Sequence, residues 1–89
     1  MKEPYLEVTY RHGKALAAYY YLPRGPRDKS YRVSRSAAGL VVDYTRSGKP
    51  IGIEITAPAR VSTAVLNRLL RQLGFPPASQ TELSPLRAA

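Results

Sequence analysis

The segment 40–55, LVVDYTRSGKPIGIEI, constrains the fold of this chain more than any other stretch. Two apolar runs with period-two alternation flank a polar turn, which is typical of a β-hairpin. If the strands pair about Ser47 and Gly48, six apolar side chains share one face. Their cross-strand pairs are Leu40–Ile55, Val42–Ile53 and Tyr44–Ile51. A register shifted by one residue would mix apolar and polar side chains, which favours this pairing. The apolar face then has to be covered by another element.

A second hairpin is predicted near the N-terminus, where residues 5–10 and the tyrosine-rich residues 15–22 flank a turn at His12 and Gly13. In the simplest register Val8 lies near Ala17 and Leu6 near Tyr19. The following residues 22–29 contain two prolines and a glycine, which break any strand, so they form a loop. Residues 30–35, SYRVSR, then alternate as a short edge strand.

The clearest helix is predicted over about residues 62–73, with Ser62 as its N-cap and Gly74 after its end. Its apolar side comprises Val65, Leu66, Leu69, Leu70 and Leu73. A helix this short depends on packing, and the isoleucine face of the central hairpin is its partner. In the tail 78–89, Ser79 and Glu82 have the spacing of a capping box, and the tail either docks or frays.

The fold class predicted from these elements is α+β. One antiparallel β-meander of four to five strands carries one helix, about 62–73, on one face. The 89 residues are one domain, 1–89, of which 78–89 are the C-terminal tail.

The strongest compositional signal is the net charge of +8, from 14 basic and six acidic residues. Such a charge attracts anionic partners, nucleic acid or an acidic protein, and it also keeps a surface soluble. The absence of cysteine excludes disulfides and thiolate metal sites. No signal peptide or membrane-spanning run is recognisable, so we expect a cytoplasmic protein without a membrane partner.

Basic residues concentrate in one stretch of twelve residues. They are Arg24, Arg27, Lys29, Arg32 and Arg35, with Tyr19, Tyr20, Tyr21 and Tyr31 nearby. Positive charge beside aromatic rings is the combination that single-stranded nucleic-acid grooves use for phosphates and bases. The stretch is therefore a candidate site for anion or nucleic-acid contact, although strand tyrosines also serve sheet packing.

The residues that could support catalysis are few. Asp43 and Glu54 fall on the polar face of the central hairpin, where they could share a proton or hold a cation, but no surrounding site is indicated. We expect them to pair with a base such as Arg32 or Arg35, or to face water. His12, the only histidine, is best interpreted as a turn residue. We predict no catalytic residue, no metal site and no cofactor.

Gly52, in the middle of a strand, allows a large ring or a backbone to approach closely. Tyr31 or a second subunit would supply that group. Tyrosine-rich strands and open sheet edges favour a symmetric homodimer.

The central segment resembles a widespread bacterial family of small proteins of unknown function. The resemblance rests on Asp43, Gly48, Gly52 and Glu54, the last two within Gly-Ile-Glu-Ile. Flanking segments around residues 17–24, 57–61 and 73–86 are also similar. It implies a small α+β protein without an established activity. Some members are encoded beside small toxins and have been proposed as antitoxins.

Two classes of function follow from the residues and the resemblance. The favoured one is a non-catalytic interaction module that binds itself or a protein encoded nearby, in an antitoxin-like role. The alternative is a nucleic-acid-binding protein that uses the basic stretch at residues 24–35. An enzyme is the least favoured class.

Overall fold

The computed structural model describes residues 3–87 and confirms the α+β class. Five antiparallel strands form one sheet, and one main helix is followed by a short one. The elements are β1 (Tyr5–Arg11), β2 (Lys14–Tyr21), β3 (Arg32–Arg35), β4 (Leu40–Tyr44), β5 (Pro50–Ile55), α1 (Thr63–Leu73) and α2 (Gln80–Leu83). Short 3₁₀ turns occupy Ala37–Gly39, Pro58–Arg60 and Ser84–Arg87.

The strand order is β1-β2-β5-β4-β3, which differs from a continuous meander. β2 pairs with β5 rather than with β3, and the loop 22–31 carries the chain from the middle of the sheet to its far edge. β5 is the most apolar strand, and Ile51, Ile53 and Ile55 are fully buried. A central position gives β5 a hydrogen-bonded neighbour on both sides, which an edge position would not.

The leucine face of α1 covers the isoleucine face of the central hairpin, as predicted. The predicted pairs Leu40–Ile55 and Val42–Ile53 are present, and these side chains share one buried cluster with Leu66, Leu69 and Leu70 of α1. Ser62 accepts a hydrogen bond from the Val65 N–H (3.1 Å) and caps the helix at its start. The helix ends at Gly74, whose N–H donates to the Arg71 carbonyl.

The predicted register of the N-terminal hairpin is wrong by one residue, and that of the central hairpin is wrong only at the pair next to its turn, because each hairpin contains an irregularity. In the first, Val8 pairs with Ala18 and not Ala17, because the register shifts between Thr9 and Tyr10. In the second, Tyr44 pairs with Pro50 instead of Ile51. An extra residue in one strand moves every later pair by one, and the hydrophobic alternation alone does not reveal it.

The C-terminal tail docks on the core as far as the structure describes it, to residue 87. Its capping box is present: Ser79 accepts from the Glu82 N–H, and Glu82 accepts from the Ser79 N–H, both at 3.0 Å. Leu83 and Leu86 are buried. Asn67 of α1 accepts a hydrogen bond from the Ala78 N–H (2.8 Å) and donates one to the Ala78 carbonyl (3.0 Å).

Candidate functional site

The loop 22–31 and the turn 45–49 lie at the same end of the sheet. The Leu22 N–H donates to the Ile51 carbonyl (3.2 Å), and the Tyr31 N–H donates to the Tyr44 carbonyl (2.8 Å). These bonds bring together basic residues that are up to 25 positions apart in sequence. We call this group the basic end. It comprises Arg24, Arg27, Lys29, Arg32, Arg46 and Lys49.

Four of the five predicted contact residues belong to the basic end, and one does not. Arg35 pairs with Val41 at the opposite end of β3. Arg24 lies over the Tyr21 ring (5.5 Å from the centroid), and Arg32 lies over the Tyr44 ring (4.4 Å). The two rings are on opposite faces of the sheet. Arg24 and Arg32 therefore lie on opposite sides of the basic end and do not line one pocket.

A shallow groove of about 440 Å³ separates the loop from the turn. Arg27 and Lys29 line it from the loop side, and Arg46 lines it from the turn side. Tyr31 is 62% exposed beside them, with the Arg46 guanidinium 5.5 Å from its ring centroid. The hydroxyls of Ser30 and Ser47 also line the groove. It thus combines three cations, one exposed aromatic face and two small hydrogen-bonding groups.

Arg46 is the groove residue that sequence reasoning did not include. It lies in the turn of the central hairpin, outside the basic stretch at residues 24–35. Contacts between distant segments, such as the hydrogen bond of Tyr31 with Tyr44 and the salt bridge of Lys49 with Asp28, bring the turn to the loop. Arg46 could have been found from the sequence as a cation in a predicted turn, but the sequence does not indicate that this turn lies beside the loop 22–31.

Asp28 also lines the groove, and its carboxylate has its own partners. Its Oδ2 lies 2.6 Å from Lys49 Nζ and accepts from the Gly25 N–H at 2.8 Å. The Lys49 hydrogen bond, with help from the Gly25 bond, lowers the pKa of this carboxyl. Asp28 therefore holds the loop in shape and is neutralised by Lys49, whereas Arg27, Lys29 and Arg46 have no ion pair among residues 3–87.

The face of the sheet turned away from α1, which we call the open face, is rich in tyrosine. The Tyr5 and Tyr21 rings stack at 4.5 Å, and Tyr19 meets Tyr21 edge-on at 4.7 Å. Gly52 lies under the Tyr19 ring, and a Cβ atom at Gly52 would overlap the ring and its hydroxyl. The predicted close approach of a large ring is thus present, but the ring belongs to Tyr19 and not to Tyr31.

Asp43 and Glu54 share the open face, as predicted, because Asp43 lies opposite Gly52 and Glu54 opposite Val41. Their predicted pairing with Arg32 or Arg35 is absent from the ion pairs among residues 3–87. Asp43 instead accepts hydrogen bonds from the Tyr19 hydroxyl (2.5 Å) and the Ser30 hydroxyl (3.1 Å). Burial, followed by the bond to Asp43, raises the pKa of Tyr19 far above its ordinary value.

The two remaining predicted turn residues have the backbone angles expected of them. Gly48 has φ +94°, and His12 has φ +54°, a conformation that few residues other than glycine adopt. His12 is exposed in its turn. Within the described residues no group of three or more metal-ligating side chains converges.

Comparisons with protein-family models, with curated proteins and with solved structures found no match to this chain. In the part of the chain described, residues 3–87, no helix is long and apolar enough to cross a bilayer. Any functional conclusion therefore rests on the geometry of the basic end and the open face.

Proposed function

We propose that the protein is a non-catalytic binding module that holds single-stranded nucleic acid at its basic end. One observation carries this proposal: six cations gather at one end of the sheet beside two carboxylates, and both carboxylates already accept hydrogen bonds from neighbouring side chains. Surplus positive charge on one end raises the local concentration of a polyanion and speeds its association.

The groove residues divide into two roles on this proposal. Arg27, Lys29 and Arg46 neutralise phosphates, since each is a donor without a carboxylate partner among the ion pairs of residues 3–87. Tyr31 stacks on a base through its exposed ring, the way sequence-tolerant single-strand sites work. Arg46 already lies over that ring, so it can contact a phosphate while it stays close to a base stacked there. An acidic partner protein, the antitoxin-like alternative, would use the charges but not the ring.

The experiment is a fluorescence anisotropy titration with a random-sequence single strand at several salt concentrations. We expect affinity to fall with salt, with a log–log slope of about 0.7 per phosphate contact. The double variant Lys29→Gln/Arg46→Gln should flatten this slope. Its matched control is Arg68→Gln/Arg71→Gln, which removes two exposed charges from α1, away from the basic end. Tyr31→Ala should weaken binding about tenfold and leave the slope unchanged.

Equal losses in the two double variants would mean that net charge, and not the basic end, attracts the strand. No salt-sensitive binding at low ionic strength would overturn the proposal. Binding of an acidic protein that is insensitive to Tyr31→Ala would favour the partner-protein alternative. We propose the cytoplasm as the place of action, in line with the cysteine-free composition.

A second candidate function is self-association through the open face, which would make the protein a homodimeric interaction module. The observation that favours it is the tyrosine cluster together with Val33, which is 59% exposed on edge strand β3. Light scattering should then return twice the chain mass of 9.8 kDa, and Val33→Lys should restore the monomer. A 9.8 kDa particle at high concentration would remove this candidate.

A further inference from the structure

An apolar pocket of about 380 Å³ lies where α1 ends, on the helix side of the sheet. Its apolar walls come from β2, α1 and the segment that follows α1. They include Leu22, Pro23, Leu70, Phe75, Pro76 and Pro77. Pockets of this size, with apolar walls and a few polar groups, are the usual form of a small-molecule site.

Tyr20 supplies a buried polar group to this pocket. The residue is only 2% exposed, and its hydroxyl has no hydrogen-bond partner among residues 3–87. Yet the described chain contains no fully buried side-chain oxygen or nitrogen without a partner. The hydroxyl oxygen therefore reaches open space, and the space that Tyr20 lines is this pocket.

Two carboxylates complete the polar part of the pocket. Glu3 and Glu82 both line it, and no lysine or arginine is among its described lining residues. Glu82 uses Oε1 to accept the Ser79 N–H, which leaves its second carboxylate oxygen for a ligand. Burial and the negative charge of Glu82 both raise the pKa of Tyr20, so the carboxylate acts on the hydroxyl across the pocket.

We propose that this pocket binds a small organic cation, an apolar stem that ends in a primary ammonium group. The stem lies between Leu70 and Phe75, which removes apolar surface of both partners from water. The ammonium donates to the Glu82 carboxylate and to the Tyr20 hydroxyl oxygen, and Glu3 adds a second negative charge. This site is separate from the basic end in its residues and opposite to it in charge.

The test is an NMR titration of the isotope-labelled full chain with three probes. Phenylbutylamine carries stem and charge, phenylbutanol carries the stem with an uncharged hydroxyl, and butylamine carries the charge on a short stem. We expect phenylbutylamine to shift the amide signals around Tyr20, Phe75 and Glu82, and to bind about tenfold more tightly than either control. Tyr20→Phe should weaken the amine more than the alcohol, because the hydrogen bond from the charged ammonium to the Tyr20 hydroxyl oxygen is the stronger of the two.

Glu82→Gln is the matched variant, because glutamine also completes a capping box and keeps α2 in place. In that variant the amine should lose most of its advantage over the alcohol, with Glu3 as the remaining negative charge. Equal affinities of amine and alcohol for the unmodified chain would overturn the proposal, as would shifts that appear elsewhere on the surface. The result is independent of nucleic-acid binding, which is measured with other probes at another surface.

Discussion

At the scale of single residues, Gly52 is the position where the sheet tolerates least change. The Tyr19 ring covers it so closely that a Cβ atom would overlap ring carbons and the hydroxyl. We expect Gly52→Ala to displace Tyr19 from Asp43 and to lower the free energy of unfolding by about 1–3 kcal/mol, the usual cost of overpacking. Chemical denaturation measures this loss.

The reason for that loss can be tested with a double-mutant cycle. Tyr19→Ala removes the ring, so adding Gly52→Ala to it should cost much less than Gly52→Ala costs alone. Additive losses would show that the glycine is needed for its backbone and not for the ring above it.

Sequence reasoning recognised the close approach at Gly52 but named the wrong ring. A glycine in the middle of a strand indicates that a large group approaches closely, and this signal is present in the local sequence. Which ring approaches depends on the pairing of β2 with β5, a contact between segments about 30 residues apart. The same limit applies to Asp43, whose partners Tyr19 and Ser30 come from β2 and the loop after it.

Tyr19 also predicts how stability responds to alkali. Burial first, and then the bond to Asp43, raises its pKa above the ordinary value of 10.0. Above pH 10 the unfolded chain loses this proton while the folded chain keeps it, so the native state binds more protons and stability falls as pH rises. The contribution is fully present below pH 10 and is lost as pH approaches the folded pKa.

We expect the melting temperature to decline from about pH 10 upwards, and less steeply in Tyr19→Phe. Asp43→Asn, which removes the charge but keeps an acceptor, should bring the Tyr19 pKa down, as followed by NMR of the labelled ring carbons. An unchanged Tyr19 titration in that variant would contradict the role assigned to Asp43.

At the scale of elements, the hairpins and the helix were predictable, whereas the irregularities within the hairpins were not. The apolar periodicity and the caps Ser62 and Gly74 depend on neighbouring residues, and they fixed α1 to within one residue. The turn of the central hairpin depends instead on Thr45, which is only 7% exposed. Its hydroxyl accepts a hydrogen bond from the Lys49 N–H (3.1 Å) and makes another with the Ser47 hydroxyl. These bonds join Thr45 to Lys49 across the turn.

The docking of the tail on α1 leads to a prediction at Asn67. Its amide makes two hydrogen bonds with the Ala78 backbone, and no other residue of α1 bonds the tail through a side chain in the described structure. Asn67→Ala should lower the free energy of unfolding by about 1–3 kcal/mol, because it leaves the Ala78 N–H and carbonyl unpaired. Hydrogen exchange should show lost protection over residues 78–87 first.

Asn67→Asp is the companion variant. It keeps the acceptor for the Ala78 N–H but loses the donor to the carbonyl, so we expect an intermediate effect. If protection falls evenly across the sheet and the tail in both variants, Asn67 supports the whole core and not the tail in particular.

At the scale of the whole molecule, the candidate site was predictable in composition but not in shape. Arg27 and Lys29 were recognised from their clustering along the chain, and both line the groove. Arg35 was included only because it is close in sequence, and the strand carries it to the other end. Arg46 was missed because the strand order that places its turn beside the loop is a property of the complete sheet.

The crowding of charge at the basic end predicts that salt stabilises the fold itself. At this end Lys49 forms a salt bridge with Asp28, whereas Arg27, Lys29 and Arg46 have no ion pair among residues 3–87, so the repulsion among these three cations is uncompensated. Raising the salt concentration from about 0.02 M to about 0.2 M shortens the screening length about threefold and weakens that repulsion. We expect the melting temperature to rise by about 5 °C, which corresponds to about 1 kcal/mol for a domain of this size.

The variants used for binding separate local repulsion from net charge. Lys29→Gln/Arg46→Gln should raise the melting temperature at low salt and remove most of its salt dependence. Arg68→Gln/Arg71→Gln, with the same loss of charge on α1, should remove less of it, because these arginines lie outside the crowded end. A melting temperature that falls with salt would mean that the Lys49–Asp28 pair outweighs the repulsion around it. The loop 22–31 would then be held in place by attraction, and the basic end would not be strained in the absence of its ligand.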